Sequence, residues 1–208
     1  TDDYDQPFKL LVERNPDNSM ALYYYANSLY RKFLANKLDF QDYSRAHEAI
    51  LKAQELDPDN SLVYTLLGPI ESWLMGINQM GLEETLLKGL EKGSENYRTL
   101  VLIGNNLNSI SKFADGIRYL KKAVKIAPYG PITTEIFLMR AYMETQRFDE
   151  AKDLCLTMIE EGGKQGALWG TSFLTFSEFV TGGKEKAKIL LKNFIEENDY
   201  TLDELIQD

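Results

Sequence analysis

The side chains best suited to catalysis are few and scattered along this chain. His47 is the only histidine among 208 residues, and no cysteine lies near it in sequence. A metal site or a histidine-based triad needs several such groups brought together. We therefore interpret His47 as a surface or half-buried residue. We predict that the chain is not an enzyme and that it uses no metal or cofactor.

Two further patterns resemble reactive sites but have structural explanations. The segments 181–184 (Thr-Gly-Gly-Lys) and 162–164 (Gly-Gly-Lys) lack the earlier glycine of a phosphate-binding loop and the Ser or Thr after its lysine. We interpret both as tight turns between helices.

Adjacent acidic residues occur at 83–84, 160–161 and 196–197. Neighbouring side chains on a helix point about 100° apart, so we interpret these pairs as solvated faces that share no proton.

The charge of the chain argues against nucleic acid as a partner. The net charge is −9 and the pI is about 4.8, whereas nucleic-acid binding needs a basic surface. Residues 61–128 carry 8 basic and 6 acidic side chains, for +2, whereas residues 1–60 carry −4 and residues 129–208 carry −7. We expect an acidic partner segment to dock on the middle part.

The sequence leaves the cellular compartment open. No apolar run approaches the length of a membrane span, and no signal peptide is visible. The chain begins at Thr1 without a methionine. We therefore expect that an upstream stretch was removed or left out, and a signal sequence or lipid anchor could have been part of it. The cytoplasm and the periplasm are both compatible with the sequence.

A recurring sequence pattern, the first phrase of the repeat, predicts the helices that would position any site. The pattern is a small residue, a large one four residues later, another small one and a closing proline. It is clearest at 46–58 and 116–128, and less regular copies begin at positions 82, 151 and 187. The five starts are 36, 34, 35 and 36 residues apart, and such a period indicates stacked helical hairpins. Small residues let paired helices approach to about 8–10 Å. Cys155 falls at a core position of this phrase, so we predict a buried apolar side chain.

A second phrase precedes the first and carries a family resemblance. A small residue follows an apolar one in pairs such as Leu67-Gly68 and Ile103-Gly104. Together the two phrases resemble those of the tetratricopeptide repeat (TPR) family, whose unit has about 34 residues. Residues 97–130 are the best copy, and the resemblance covers nearly the whole chain.

The resemblance implies an all-α protein. The expected architecture is an α-solenoid, a right-handed superhelix of about five TPR-like hairpins with a partial N-terminal unit and a C-terminal capping helix. We expect a single domain, 1–208, divided into a partial unit at 7–18, repeats at 19–60, 61–96, 97–130, 131–165 and 166–200, and a cap at 201–208.

The two ends fit this scheme. In the partial unit, Phe8 and Leu11 are expected to pack inward. At the other end, Thr201 and Glu204 form a capping box. It predicts a short terminal helix that covers the final hairpin with the apolar residues Leu202, Leu205 and Ile206.

Two places depart from the repeat. The first repeat is about eight residues longer than a standard unit, and the excess near 32–43 either lengthens both helices or forms a projecting turn. Pro69 lies inside the first of the two helices of its predicted hairpin. Proline removes a backbone hydrogen bond there and should kink or interrupt the helix. The stretch 76–81 that follows is loop-like.

The chain therefore offers a surface for binding. In the TPR family the first helices line a concave groove that takes an extended peptide or a partner helix. By register, the positions expected to face this groove are Tyr23, Asn27, Tyr30, Arg31, Trp73, Arg98, Asn105, Asn108, Arg140, Met143, Trp169, Phe173 and Phe176. Asparagines can bond a peptide backbone, arginines can fork a carboxylate, and aromatic rings supply contact area. The aromatic residues could equally be buried between repeats.

One TPR subfamily grips a terminal carboxylate with five polar residues spread over three repeats. Asn27 and Arg98 match that pattern, but Tyr23, Leu66 and Leu102 stand where polar residues are expected. We therefore predict that this chain has no such clamp.

The leading functional hypothesis is a non-catalytic adaptor or scaffold that binds a peptide or helix of a partner protein. The alternative is a structural or assembly subunit, either self-associating or part of an envelope or secretion complex, so homo-oligomerisation stays open. An enzyme or small-ligand carrier would need convergent titratable groups in the groove, and the sequence offers none.

Overall fold

The computed structural model describes residues 5–35, 39–74, 79–127 and 131–198. In these ranges the chain forms eleven helices and no strand, which confirms the all-α prediction. The helices are α1 (Gln6–Arg14), α2 (Ser19–Ala35), α3 (Phe40–Leu56), α4 (Ser61–Leu74), α5 (Gln79–Gly93), α6 (Tyr97–Ser109), α7 (Phe113–Ile126), α8 (Thr133–Glu144), α9 (Phe148–Glu161), α10 (Gly163–Val180) and α11 (Lys184–Asn198). The predicted cap at 201–208, with its capping box, lies outside the described residues.

The repeated phrase marks the buried face of the second helix of each hairpin, such as α3 and α7, as predicted. Ala46, Ile50 and Ala53 of α3 have no exposed surface, and neither do Leu120 and Ala123 of α7. These residues recur at three- and four-residue intervals, so they form one stripe along each helix. The sequence period therefore identifies the side chains that hold the hairpins together.

Glycines occupy two of the tightest contacts between helices. A Cβ atom on Gly89 of α5 would lie 2.8 Å from the Cβ of Tyr64 on α4. A Cβ atom on Gly170 of α10 would lie 2.8 Å from the carbonyl oxygen of Cys155 on α9. Both distances are shorter than ordinary van der Waals contact, so any side chain would force the paired helices apart.

The chain separates into two compact units, Thr1–Lys112 and Phe113–Asp208. In the first unit, α2 packs on α3, α4 packs on α5, and α4 also contacts both α2 and α6. In the second unit, α7 packs on α8, α9 packs on α10, and α10 packs on α11. The division of the chain into one domain with the predicted repeat boundaries stays a prediction.

The long first repeat follows one of the two alternatives. Helices α2 and α3 have 17 residues each, whereas α4 to α9 have 12 to 15. Part of the excess therefore lengthens both helices, and residues 36–38 between them lie outside the described residues. The loop predicted at 76–81 is wrong at its end, because α5 already begins at Gln79 and includes Gly81; residues 75–78 lie outside the described residues.

The N-terminal helix packs differently from the prediction. Phe8 does pack inward, with its ring stacked on that of Tyr24 at a centroid distance of 6.2 Å. The prediction for Leu11 is wrong, since this side chain is 41% exposed. Val12, one position further along the helix, packs against the core instead.

Pro69 does not interrupt its helix, so that part of the prediction is wrong. Helix α4 continues from Ser61 to Leu74 with the proline inside it. Because Pro69 has no N–H, the carbonyl of Thr65 loses its usual partner four residues later. The side-chain amide of Asn106 on α6 donates to that carbonyl at 2.9 Å. A neighbouring helix thus supplies the hydrogen bond that the proline removes.

The segment 181–184 contains a turn, as predicted. In the segment 162–164 only Gly162 lies between helices, because Gly163 and Lys164 already belong to α10. Gly182 has a φ of 95° and Gly163 a φ of 60°, values in the left-handed region that favours glycine. The N–H of Gly183 donates to the carbonyl of Glu178 at 2.8 Å and closes the end of α10. Backbone geometry between helices explains these glycines without any bound phosphate.

Candidate functional site

A cavity of about 470 Å³ lies in the first unit between the first helices α2, α4 and α6. Its lining comprises Tyr23, Asn27, Tyr30, Arg31, Leu34, Thr65, Leu66, Pro69, Ser72, Trp73, Leu82, Leu102, Asn105, Asn106, Ser109 and Ile110. All but one of these residues belong to the three first helices or directly follow one. Leu82 comes from α5.

The predicted binding residues fall into three groups in the structure. Six of them line the cavity: Tyr23, Asn27, Tyr30, Arg31, Trp73 and Asn105. Arg98 and Asn108 lie on α6 of the same unit but are not part of the lining. The remaining residues belong to the second unit: Arg140, Met143, Trp169, Phe173 and Phe176. Their role in binding stays a prediction.

The repeat register arranges the lining in rows across the three helices. The residue after the small position of each first helix is Asn27, Pro69 or Asn105, and all three line the cavity. We call the two asparagines of this set, Asn27 and Asn105, the amide row. Four residues later come Arg31, Trp73 and Ser109, which also line the cavity.

The two carboxamides of the amide row are available to a ligand. Asn27 and Asn105 are half-buried, and neither has a hydrogen-bond partner within the described part of the chain. Asn106 differs, because its amide is already bonded to the carbonyl of Thr65. A carboxamide offers both a donor and an acceptor, so the free pair can bind groups of either kind.

Arg31 is the one charged residue among the described residues that line the cavity. Its side chain is exposed, and it has no ion pair within the described ranges. The next residue, Lys32, is held by Asp5 and Asp42 at 3.1 Å each. Arg31 thus leaves a cationic group without a counter-ion at this site.

The aromatic lining residues are held by the core. The ring of Trp73 meets that of Phe33 edge-on at a centroid distance of 5.8 Å, and Tyr30 stacks on the same ring at 6.5 Å. Phe33 is buried and packs on Tyr43 at 4.8 Å. Trp73 keeps 58% of its surface exposed. The indole therefore contacts the core through Phe33 and leaves more than half of its surface open to a ligand.

The tyrosines of the cavity are neutral phenols, and burial favours this form further. It raises the pKa of Tyr30 and is the main cause of the raised pKa of Tyr23. Tyr23 is only 3% exposed, so it supports the cavity more than it presents itself to a ligand. Neutral phenols can donate hydrogen bonds but bring no negative charge to the site.

Arg98 is engaged elsewhere on the surface of the first unit. Its guanidinium donates to the hydroxyl of Tyr24 at 2.7 Å and lies 5.4 Å from the centroid of that ring. This contact joins α2 and α6 through two residues that are 74 positions apart in sequence. No local pattern could have predicted it, which is why register alone placed Arg98 in the groove.

The second unit carries an apolar stripe on α10, formed by the exposed residues Trp169, Phe176 and Val180 and the half-buried Phe173. These residues are four, three and four positions apart, so they share one face of the helix. Trp169 stacks on Phe173 at 5.9 Å. Phe176 is 55% exposed and Val180 is 50% exposed, so neither is a core residue.

Two other reactive side chains, His47 and Cys155, are not part of the cavity lining. His47 is half-buried on α3, as predicted. Cys155 is fully buried, and burial raises the pKa of its thiol to about 12. Within the described ranges, no three His, Cys, Asp or Glu side chains are placed to hold a metal ion. No helix in those ranges combines the length and hydrophobicity needed to cross a membrane.

Comparison with known proteins identifies the fold. Neither a protein-family model nor a curated protein matches the sequence. Among solved structures, YrrB, a TPR protein with an unusual peptide-binding site, has a TM-score of 0.59 at 19% identity over 92% of each chain. PilW, a type IV pilus biogenesis factor, has a TM-score of 0.64 at 16% identity over 88% of this chain and 80% of its own. Yeast Tom70 has a TM-score of 0.67 at 16% identity and covers all of this chain, which matches 42% of Tom70.

Proposed function

Because the chain has the tetratricopeptide-repeat fold, we propose that it is a non-catalytic interaction module that binds a segment of another protein in the cavity between α2, α4 and α6. The observation that carries this proposal is the amide row beside an exposed indole. Asn27, Asn105 and Trp73 line one cavity, the two carboxamides have no hydrogen-bond partner within the described residues, and the indole is 58% exposed.

A polypeptide is the ligand that best matches these groups. Half-buried polar groups favour a partner that replaces the water they lose. A peptide backbone offers one donor and one acceptor per residue, which matches the two functions of a carboxamide. The exposed face of Trp73 adds a large rigid contact area for a side chain. Comparable use of this fold supports the proposal, since YrrB is described as having a peptide-binding site.

The same lining is poorly equipped for catalysis. Hydroxyl groups come from Thr65, Ser72 and Ser109, but no histidine or carboxylate stands among the described residues that line the cavity. A hydroxyl nucleophile needs an adjacent base. Binding is therefore the activity that this set of side chains supports.

The proposal is tested with a defined probe, a display library of random sixteen-residue peptides selected on the purified chain. Peptides enriched on the parent are expected to bind the Asn27→Ala/Asn105→Ala variant about tenfold more weakly, as for the loss of one or two hydrogen bonds. Isothermal titration with the selected peptides gives the affinities.

The matched control is Asn193→Ala, which removes an exposed asparagine of the second unit and should leave the affinity unchanged. Circular dichroism should show equal helix content in all three proteins. A library that yields no binder, or binders that do not distinguish the double variant from the parent, would refute the proposal.

One observation favours a second candidate function, that of an assembly subunit. The α10 stripe exposes Trp169, Phe176 and Val180 on one face of a helix. Contiguous exposed apolar surface commonly marks a protein contact. Under this alternative the second unit, rather than the cavity, makes the principal contact with other subunits.

A further inference from the structure

The separation of the two free amides favours an extended ligand. Packed helices lie about 8–10 Å apart, so a straight path from Asn27 on α2 across α4 to Asn105 on α6 spans about 16–20 Å. An extended chain covers that distance in about five or six residues. A helical ligand has its backbone groups bonded internally, so it could not use the amide row. The site therefore matches a strand-like segment.

The charge of the cavity favours an acidic ligand. Arg31 brings a guanidinium with no ion pair in the described ranges, and no carboxylate belongs to the described lining. The nearby cations are already engaged, Lys32 by two aspartates and Arg98 by Tyr24. A guanidinium can fork a carboxylate through two parallel hydrogen bonds. An unpaired arginine in a partly apolar cleft also attracts anionic groups from a distance.

We infer that the occupant is an extended segment of a partner protein with an internal Asp or Glu that pairs with Arg31 and a large apolar side chain that packs on Trp73. This inference rests on the proposed function of the cavity. Arg31 and Trp73 hold equivalent positions on adjacent helices, about 8–10 Å apart. The acidic and apolar residues of the ligand are therefore two or three positions apart, at about 3.3 Å per residue.

The test uses the sixteen-residue library with acetylated N-termini and amidated C-termini, so that only side chains supply carboxylates. On the parent we expect enrichment of Asp or Glu two or three positions from a large apolar residue. Arg31→Gln should abolish this acidic preference and weaken the selected peptides about tenfold. Arg31→Glu should reverse the preference and enrich Lys or Arg at the same position.

The matched control is Arg14→Gln, which removes an exposed arginine of α1 that is not part of the lining and should keep the acidic preference. Truncation of a selected peptide should preserve binding down to about eight residues. A minimum length above about twelve residues with anchors at helical spacing would show a helical ligand and overturn the inference.

The outcomes separate this inference from the proposed function. Peptides that depend on Asn27 and Asn105 but show no acidic preference would overturn the inference and leave the binding function standing. An acidic preference that survives Arg31→Gln would likewise overturn it. A library without any binder would refute both the inference and the proposed function.

Discussion

Glu178 connects the last three helices of the second unit. It lies on α10 with its side chain only 15% exposed, bonds to Lys186 of α11, and pairs with Lys152 of α9 at 3.4 Å. The bond from Lys186 is the main cause of the lowered pKa of Glu178, and burial opposes it. A carboxyl with a lowered pKa in the folded state stabilises that state above its unfolded pKa and loses this effect as the pH falls through the folded value.

We therefore predict a pH-dependent effect of Glu178→Gln. At neutral pH the variant should be less stable than the parent by about 1 kcal/mol. The difference should shrink as the pH falls from the unfolded pKa of a glutamate, about 4.3, through the lower pKa of Glu178 in the folded state. Urea unfolding at several pH values measures this difference.

Glu196→Gln is the matched control, because that carboxylate is 63% exposed and lies 3.6 Å from Lys192. It should have little effect at any pH. A penalty for Glu178→Gln that stays constant with pH would show that packing, rather than charge, is what the substitution removes.

Single side chains of the candidate site were predictable where the repeat register determines them. Asn27 and Asn105 follow a small residue in equivalent positions, and the structure places both in the cavity. Pro69 has the same register and also lines the cavity, but the sequence alone identifies it only as a residue that interrupts a helix. The sequence could not reveal that Arg98 would bond to Tyr24, because that contact depends on how helices pack rather than on local spacing.

The bond between α6 and α4 around Pro69 can be tested as a coupled pair. We predict that Asn106→Ala lowers the free energy of unfolding by about 1 kcal/mol, because the buried carbonyl of Thr65 loses its partner. In a Pro69→Ala background the new N–H at position 69 can donate to that carbonyl. The same asparagine substitution should then cost less.

A double-mutant cycle by urea denaturation gives the coupling energy. Asn105→Ala, at the adjacent position of α6, is the control and should cost the same in the parent and in the Pro69→Ala background. Equal costs of Asn106→Ala in both backgrounds would mean that its hydrogen bond does not compensate for the proline.

Helices were predicted well because each carries a stripe of small and large residues at helical spacing. The buried set of Ala46, Ile50 and Ala53 is an example. The local rule for proline failed, since a partner from another helix restores the missing bond. The loop prediction near Gly81 failed because glycine is tolerated inside a helix that gains enough from packing.

The charge and the exposed surface of the chain bear on self-association. The chain carries a net charge of −9, which opposes the approach of two copies. Trp169 and Phe176 of the α10 stripe are 38% and 55% exposed, which amounts to roughly 200 Å² of aromatic surface. A stable interface needs about 800 Å² from each partner.

We therefore predict that the chain is a monomer at micromolar concentration. Sedimentation equilibrium at several concentrations should give a constant mass near 23.8 kDa. A mass that rises with concentration, and that returns to the monomer value in Phe176→Ser, would instead support the assembly function. Leu10→Ser is the control, since it removes a residue of α1 that is also half exposed.

The seclusion of Cys155 has a practical consequence. Its thiol is fully buried, lies 3.7 Å from the sulfur of Met139, and has a pKa of about 12, so it stays protonated and shielded from electrophiles at neutral pH. The native cysteine therefore does not compete when an introduced cysteine is labelled with a maleimide. A cysteine introduced at the rim of the cavity would accept a dye or a cross-linker selectively, without prior removal of the native one.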